Sequence, residues 1–274
     1  MKIAHSKSLL PAFLIFAIAV LEFSAAPRVV AQTDRPPLAT PKESRLDLQI
    51  PPGTILPVRL NRGLSSKNSR IGQPLTGRIM QDVPLSNGAK IPAGARILGT
   101  VISITPPSNN TGASITFKFD QLEIHHERIA LLTNLRALAS PLEVQFAQIP
   151  ETTPGFGTPY SWATTDQIGG DVVYGVGGPV TDHMSQPVGK GVFGGVLVHV
   201  RARPGSKCRG ELDGEDRLQA LWVFSADACG LYEIPGVTIA HAGRTQPLGE
   251  IILTAESGEL KIRSASGMLL RVIR

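Results

Sequence analysis

The chain has 274 residues, 42% of them hydrophobic and 18% charged, with a formal net charge of +5. That supplies apolar residues for one large or two modest cores, and its Lys and Arg stand singly instead of in the runs of about five to eight that mark nucleic-acid surfaces. Nucleic acid is therefore excluded as a partner. The two cysteines, Cys208 and Cys229, have no second pair with which to build a cysteine metal site.

Lys2, His5 and Lys7 give a positive start, and residues 9–21 follow as an apolar stretch broken only by Pro11. A membrane-spanning helix needs roughly 20 apolar residues, whereas the apolar region of a signal peptide needs about 7–15. Length thus predicts a secretory signal peptide over residues 1–31, with small residues placed for cleavage after Ala26 or, preferred, after Ala31. An uncleaved anchor is the alternative, because Phe23 extends the apolar run past Glu22. Removing residues 1–31 takes away three cations (Lys2, Lys7, Arg28) and one anion (Glu22), which leaves +3. The implied location is extracytoplasmic: periplasm, outer membrane-associated or secreted. In that setting the even cysteine count reads as a Cys208–Cys229 disulfide, closing a loop of about 20 residues and contributing on the order of 3 kcal/mol.

Residues 32–49 are polar and hold three prolines, a flexible lead-in. From 50 to 148 the signals are those of short strands: 54–60, 75–83, 95–104, 115–124, 128–138 and 142–147 are rich in Ile, Val, Leu, Thr and Phe. Over 114–120 apolar and polar residues alternate, the mark of a strand with one buried face. Asn87-Gly88 predicts a hairpin. Pro51-Pro52-Gly53, Pro92-Ala93-Gly94 and Pro235-Gly236 each place proline and glycine before an apolar run, as a type II turn that launches a strand requires.

Residues 149–192 change character, and nine glycines fall between Gly169 and Gly195. So long a stretch without periodicity reads as an interdomain segment or a functional excursion. Its Tyr160, Trp162 and Tyr174 make it the candidate ligand- or carbohydrate-binding surface. Strand signals resume over 193–274. The fold expected is mainly β: an antiparallel barrel or sandwich module over 50–148, followed by a second, small sandwich-like module over 193–274.

Three groups of side chains and one glycine-rich loop are weighed for chemistry. Ser225, Asp227 and His241 have the residue types of a hydrolase triad, but no Gly-x-Ser-x-Gly elbow surrounds the serine. His125-His126-Glu127 places at most two ligands on one strand face, fewer than a zinc site needs, and is read as an exposed turn. Glu211, Asp213, Glu215 and Asp216 lack the spacing of a calcium loop. Gly175-Val176-Gly177-Gly178 lacks the Lys-Ser/Thr of a phosphate loop. No cofactor is implied. Asn109-Asn110-Thr111 is a formal glycosylation sequon.

Residues 52–60, with Gly53-Thr54-Ile55-Leu56-Pro57, and 91–99, with Ile91-Pro92-Ala93-Gly94-Ala95, resemble the C-terminal β-barrel domain of TrbI-like conjugation proteins, the scaffold of type IV secretion systems. The resemblance covers residues 50–104. It implies a barrel-like module of the cell envelope whose partners are envelope proteins or further copies of itself, leaves membrane association open, and supplies no catalytic residue. Family members carry an inner-membrane helix and a long proline-rich stalk, whereas this chain has a signal-like segment and a short lead-in. The function expected is therefore non-enzymatic, structural or protein-binding. A ligand-binding surface module and an extracytoplasmic hydrolase are the alternatives.

Overall fold

The computed structural model describes residues 48–108, 111–150, 164–201 and 217–274. The expected signal peptide, most of the lead-in, Asn109, Asn110, Tyr160, Trp162, Cys208 and the acidic run 211–216 lie outside the described residues. The strands are β1 (Ile55–Leu60), β2 (Leu64–Ser65), β3 (Pro74–Ile79), β4 (Val83–Pro84), β5 (Lys90–Ile91), β6 (Arg96–Thr105), β7 (Ser114–Ile124), β8 (Glu127–Ala130) and β9 (Thr133–Ala139). After the helix α1 (Pro141–Phe146) come β10 (Thr164–Asp166), β11 (Val172–Tyr174), β12 (Pro179–Thr181), β13 (Pro187–Val192), β14 (Gly195–His199) and β15 (Leu218–Ala220). The remainder is β16 (Gly230–Tyr232), β17 (Val237–Ala240), a 3₁₀ turn (His241–Gly243), β18 (Ile251–Ala255), β19 (Lys261–Ile262) and β20 (Gly267–Val272).

The chain is mainly β, as its alternation predicts. A ten-stranded sheet runs in the order β16-β9-β20-β1-β3-β6-β7-β18-β17, with β8 also on β7, and curls into a nearly closed barrel. Its terminal strands β16 and β17 are joined by the short turn 233–236 and touch. Pairing is antiparallel apart from β16 on β9. A second sheet is the meander β10-β11-β12-β13-β14-β15. Among the described residues, no helix is long and apolar enough to cross a membrane.

The turns follow the expected chemistry. Thr54 N donates to Pro51 O and Ala95 N to Pro92 O, with Gly53 at φ +89° and Gly94 at φ +91°, which places glycine at the positive-φ corner of each turn. Asn87-Gly88 closes the β4–β5 hairpin, with Asn87 Oδ1 accepting from Ala89 N. His125 and His126 form the two-residue turn between β7 and β8, both exposed and both with positive φ.

Burial separates two kinds of barrel strand. On β3 and the first part of β6, as far as Val101, buried and open positions alternate, the signature of a wall with water outside. The adjacent strands β9, β20 and β1 are buried on both faces. Leu56, Val58, Leu135, Leu138, Met268 and Leu270 fill the barrel, while Ile55, Ala137, Ala139 and Leu269 pack outward with Val180, Val188, Val196 and Val198 of the meander. The meander is thus a second layer on one side of the barrel. A register shift where Leu135 pairs Leu270 and Ala137 pairs Leu269 leaves Arg136 as an extra residue, so Leu135 and Leu138 both face inward.

Three findings depart from the sequence reading. The stretch 142–147, expected as a strand, belongs to α1: Ser140 in extended backbone accepts from Glu143 N, Pro141 sits at the first turn, and Val144 is the buried face. Residues 164–192 are not an excursion but strands β10–β13. Their glycines answer to crowding, since a Cβ on Gly189 would stand 2.1 Å from Leu197 O and one on Gly191 2.3 Å from Gly175 O. Finally, the sheets do not divide the chain where its composition does. Strands β14 and β15 complete the meander, while β16, β17, β18 and β20 complete the barrel begun by β1.

Candidate functional site

Polar side chains buried between the barrel and its second layer fasten one to the other. Gln81, 1% exposed, follows β3; its Oε1 accepts from Trp222 N at 2.8 Å and its Nε2 donates to Val196 O at 2.8 Å. Gln219 Oε1 on β15 accepts from Ile55 N of β1 at 3.2 Å. Arg136 Nη2, from the bulge of β9, donates to Arg201 O at 3.1 Å and reaches Ala226 O at 3.4 Å. Each fills a hydrogen-bonding need that burial would otherwise leave open.

The segment 221–228 between β15 and β16 is the seam, buried along most of its length. Ile168 N donates to Val223 O at 2.8 Å and Ser225 N to Ile168 O at 2.9 Å, stitching the segment to the turn after β10. Asp171 Oδ2 accepts from Ala226 N at 2.7 Å. Burial pushes the Asp171 carboxyl above its ordinary range; the Ala226 N–H and Arg201 oppose that, while Asp227 and Asp182 add to it. Asp182 is held the other way. Its carboxylate accepts from Gln186 N and Met184 N and pairs with Arg201 Nη1, which together keep it below the ordinary range.

The structure places the expected site residues as follows. Ser225 is fully buried, and its Oγ donates to Asp227 Oδ1 at 2.9 Å. His241 stands exposed at the 3₁₀ turn that packs on β9 and β18, with its carbonyl accepting from Arg244 Nε. Two members of the suspected triad therefore meet, and the third is held by a different turn. A Cβ on Gly169 would lie 2.0 Å from Ser225 Oγ, so the hydroxyl is sealed by backbone and not by an open cleft. Tyr174 is exposed on β11, one residue along from Val173, and so belongs to the opposite face. Cys229 N donates to Tyr232 Oη at 3.0 Å. Among the described residues, no group of three or more His, Cys, Asp or Glu is arranged to hold a metal ion.

The concave surface with the most distinctive chemistry lies between α1 and the meander. It encloses about 410 Å³ and is lined by Ala147, Gln167, Val173, Val192, Trp222 and Val223, among others. Exposed apolar side chains stand on this lining or next to it in the chain: Phe146 (58% exposed), Ile149 (51%), Val176 (72%) and Phe193 (93%). The hydrogen bonds Gly177 N to Gly191 O and Gly191 N to Gly178 O bring the β11–β12 turn, which carries Val176, onto β13. Neither Gln81, Gln167 nor Asp171 stands out in the sequence, because each is a lone polar residue in a polar or glycine-rich stretch. Comparison with protein-family models and with curated proteins finds no match to the chain.

Proposed function

We propose that this is an exported, non-enzymatic protein of the cell envelope that works by binding other proteins through the α1–meander groove. The observation that carries this reading is the apolar rim. Val176 on the lining of the concavity, and Phe146, Ile149 and Phe193, each next in the chain to a lining residue, all expose large side chains, where a freely soluble surface would set such residues apart. The buried Ser225, sealed against the backbone at Gly169, speaks against the hydrolase alternative. The short apolar leader supports export, and export supports a Cys208–Cys229 disulfide. Strands β1, β3 and β6, which carry or adjoin the motifs that resemble the TrbI-like barrel, are neighbours in the barrel wall, and this favours a scaffold role among envelope proteins or further copies of the chain.

Site-specific photo-crosslinking in cells tests the proposal. A benzoylphenylalanine in place of Phe193 is expected to give discrete protein adducts that Val176→Ser and Phe146→Ser weaken. The same probe at Ile71, which is exposed on the barrel, is expected to give none. Equal adduct patterns at 193 and 71 would refute the groove as the binding face.

A further inference from the structure

Arginines that stand singly in the sequence are brought together by the register of the barrel. Arg59 of β1 lies opposite Arg78 of β3, Arg78 opposite Arg96 of β6, Arg96 opposite Glu123 of β7, and Glu123 opposite Arg128 of β8. Their chain neighbours Val58, Leu60, Ile79, Ile97, Leu122 and Ile124 fill the barrel, so the row of charges faces outward. All four arginines are exposed, and Arg59 is the one exposed position of its strand. Cross-strand partners stand about 4.5–5.5 Å apart at Cβ, and like charges so placed destabilise a sheet. Three arginines in consecutive register are therefore a cost to the fold. Four cations against one anion leave +3, as much as the net charge of residues 32–274, gathered in one line.

Glu123 shows what the row accepts. Its Oε1 pairs with Arg96 Nη1 at 2.7 Å and its Oε2 with Arg128 Nε at 3.5 Å, so one carboxylate serves two arginines. No carboxylate of the described residues pairs with Arg59 or Arg78, and Asp120, the other acid of β7, is taken by Lys118 at 2.7 Å. We infer that the row docks an extended acidic segment of a partner protein, with a carboxylate shared by Arg59 and Arg78 as Glu123 is shared by Arg96 and Arg128. Every cation in the row is arginine, whose planar fork matches a carboxylate. The row crosses four strand spacings of about 4.8 Å, roughly 19 Å in all, which about six extended residues span. It also bends with the barrel wall, which a peptide can follow and a flat bilayer cannot. No large apolar side chain is exposed on these five strands to enter a membrane, and the phenylalanines of β7 point into the barrel, where no nucleic-acid base could stack on them. The row shares no residue with the α1–meander groove, so either surface can fail alone.

Fluorescence anisotropy of fluorescein-labelled hexaglutamate, with hexaglutamine as its uncharged counterpart, tests this on the purified protein. Hexaglutamate is expected to bind and hexaglutamine not, with an affinity that falls as salt rises. Arg59→Gln together with Arg78→Gln is expected to weaken binding about tenfold, the effect of two exposed charge-assisted contacts. Lys67→Gln together with Arg70→Gln removes the same charge from an exposed turn outside the row and should leave binding within about twofold. Relief of like-charge repulsion predicts that the row variant melts no lower than the unaltered protein; a lower Tm would assign the arginines to the fold and overturn the docking role. Equal binding of the two peptides, or equal loss in the two double variants, overturns the proposal, and the peptide comparison depends on no variant's folding. Oligothymidylate or phosphatidylglycerol vesicles held more tightly than hexaglutamate through the same arginines would give the row to phosphates and overturn it as well. Binding that appears only after Glu211, Asp213, Glu215 and Asp216 are changed to their amides would assign the row to the chain's own acidic run, and the partner would fall with it.

Discussion

Replacing Gln81 by leucine probes the joint between barrel and second layer, because leucine fills nearly the same volume and deletes only the two hydrogen bonds. The Trp222 N–H loses its acceptor inside a buried seam, which costs about 1–3 kcal/mol for an unsatisfied buried donor. Val196 O loses the Gln81 amide but keeps Leu221 N at 3.2 Å, so that bond costs only about 0.5–1.5 kcal/mol. Together the loss is about 2–4 kcal/mol. Residues 46–274 form one compact unit, and for a unit of that size each kcal/mol shifts Tm by roughly 2–4 °C, so a fall of about 4–16 °C is expected. Differential scanning calorimetry of the purified protein measures it, with the exposed Gln145→Leu on α1 as a control expected to stay within about 0.5 kcal/mol. A Gln81→Leu melt that coincides with the control would show that the two layers are held by apolar packing alone and refute the role given to Gln81.

Asp171→Asn is expected to raise stability at neutral pH, since the amide oxygen can still accept from Ala226 N without a buried charge. A carboxyl pushed up on folding contributes stability below its ordinary value of 3.8 and loses it as pH rises through the folded value, so the gain should vanish on acidification; urea midpoints across pH 3–7 read this out. Asp182 and Asp82 have the opposite sign: both are held below 3.8, so they contribute above that value and lose the contribution as pH falls through the folded one, and Asp182→Asn should flatten the acid limb of the same curve. Gly169→Ala should destabilise, because its Cβ meets Ser225 Oγ at 2.0 Å in a φ +113° backbone, and adding Ser225→Ala should recover part of the loss in chemical denaturation. The intact mass of the unreduced protein from envelope fractions is expected to begin at Gln32 and to lack the two thiol hydrogens; Cys229→Ser should then cost on the order of 3 kcal/mol, and a full-length mass with both thiols free would end the export reading.

The elements most readable in the sequence are those whose burial has one period and one face. Ile115, Phe117 and Phe119 point into the barrel from a run whose alternation predicts β7, and Pro92-Ala93-Gly94 announces its own turn. Pairing over long separations is not readable in this way. Nothing in residues 55–59 signals that they will lie beside residues 267–271, yet that register joins the two ends of the described chain in one wall. Because β9, β20 and β1 are then buried on both faces, a further layer is required to cover Ile55, Ala137, Ala139 and Leu269. The meander supplies it from a segment too rich in glycine to show alternation. The glycines that hide those strands from a reading of the sequence are the ones that let them approach: Gly189 and Gly191 lie against neighbouring backbone with no space for a Cβ.

The candidate site is obscured for a related reason. A second layer laid on a barrel wall meets it along residues from separate parts of the chain, and the polar groups caught there must be satisfied across the joint. Gln81, Arg136, Asp171 and Gln219 do so, each with a partner at least 50 residues away in sequence. Spacing rules for triads and metal ligands look for chemistry within one motif and so single out Ser225, Asp227 and His241, of which the first two meet through a buried hydroxyl while the third stands exposed on a different turn. Gln167 breaks the pattern of the joint, being buried like the others with its Oε1 left unmet.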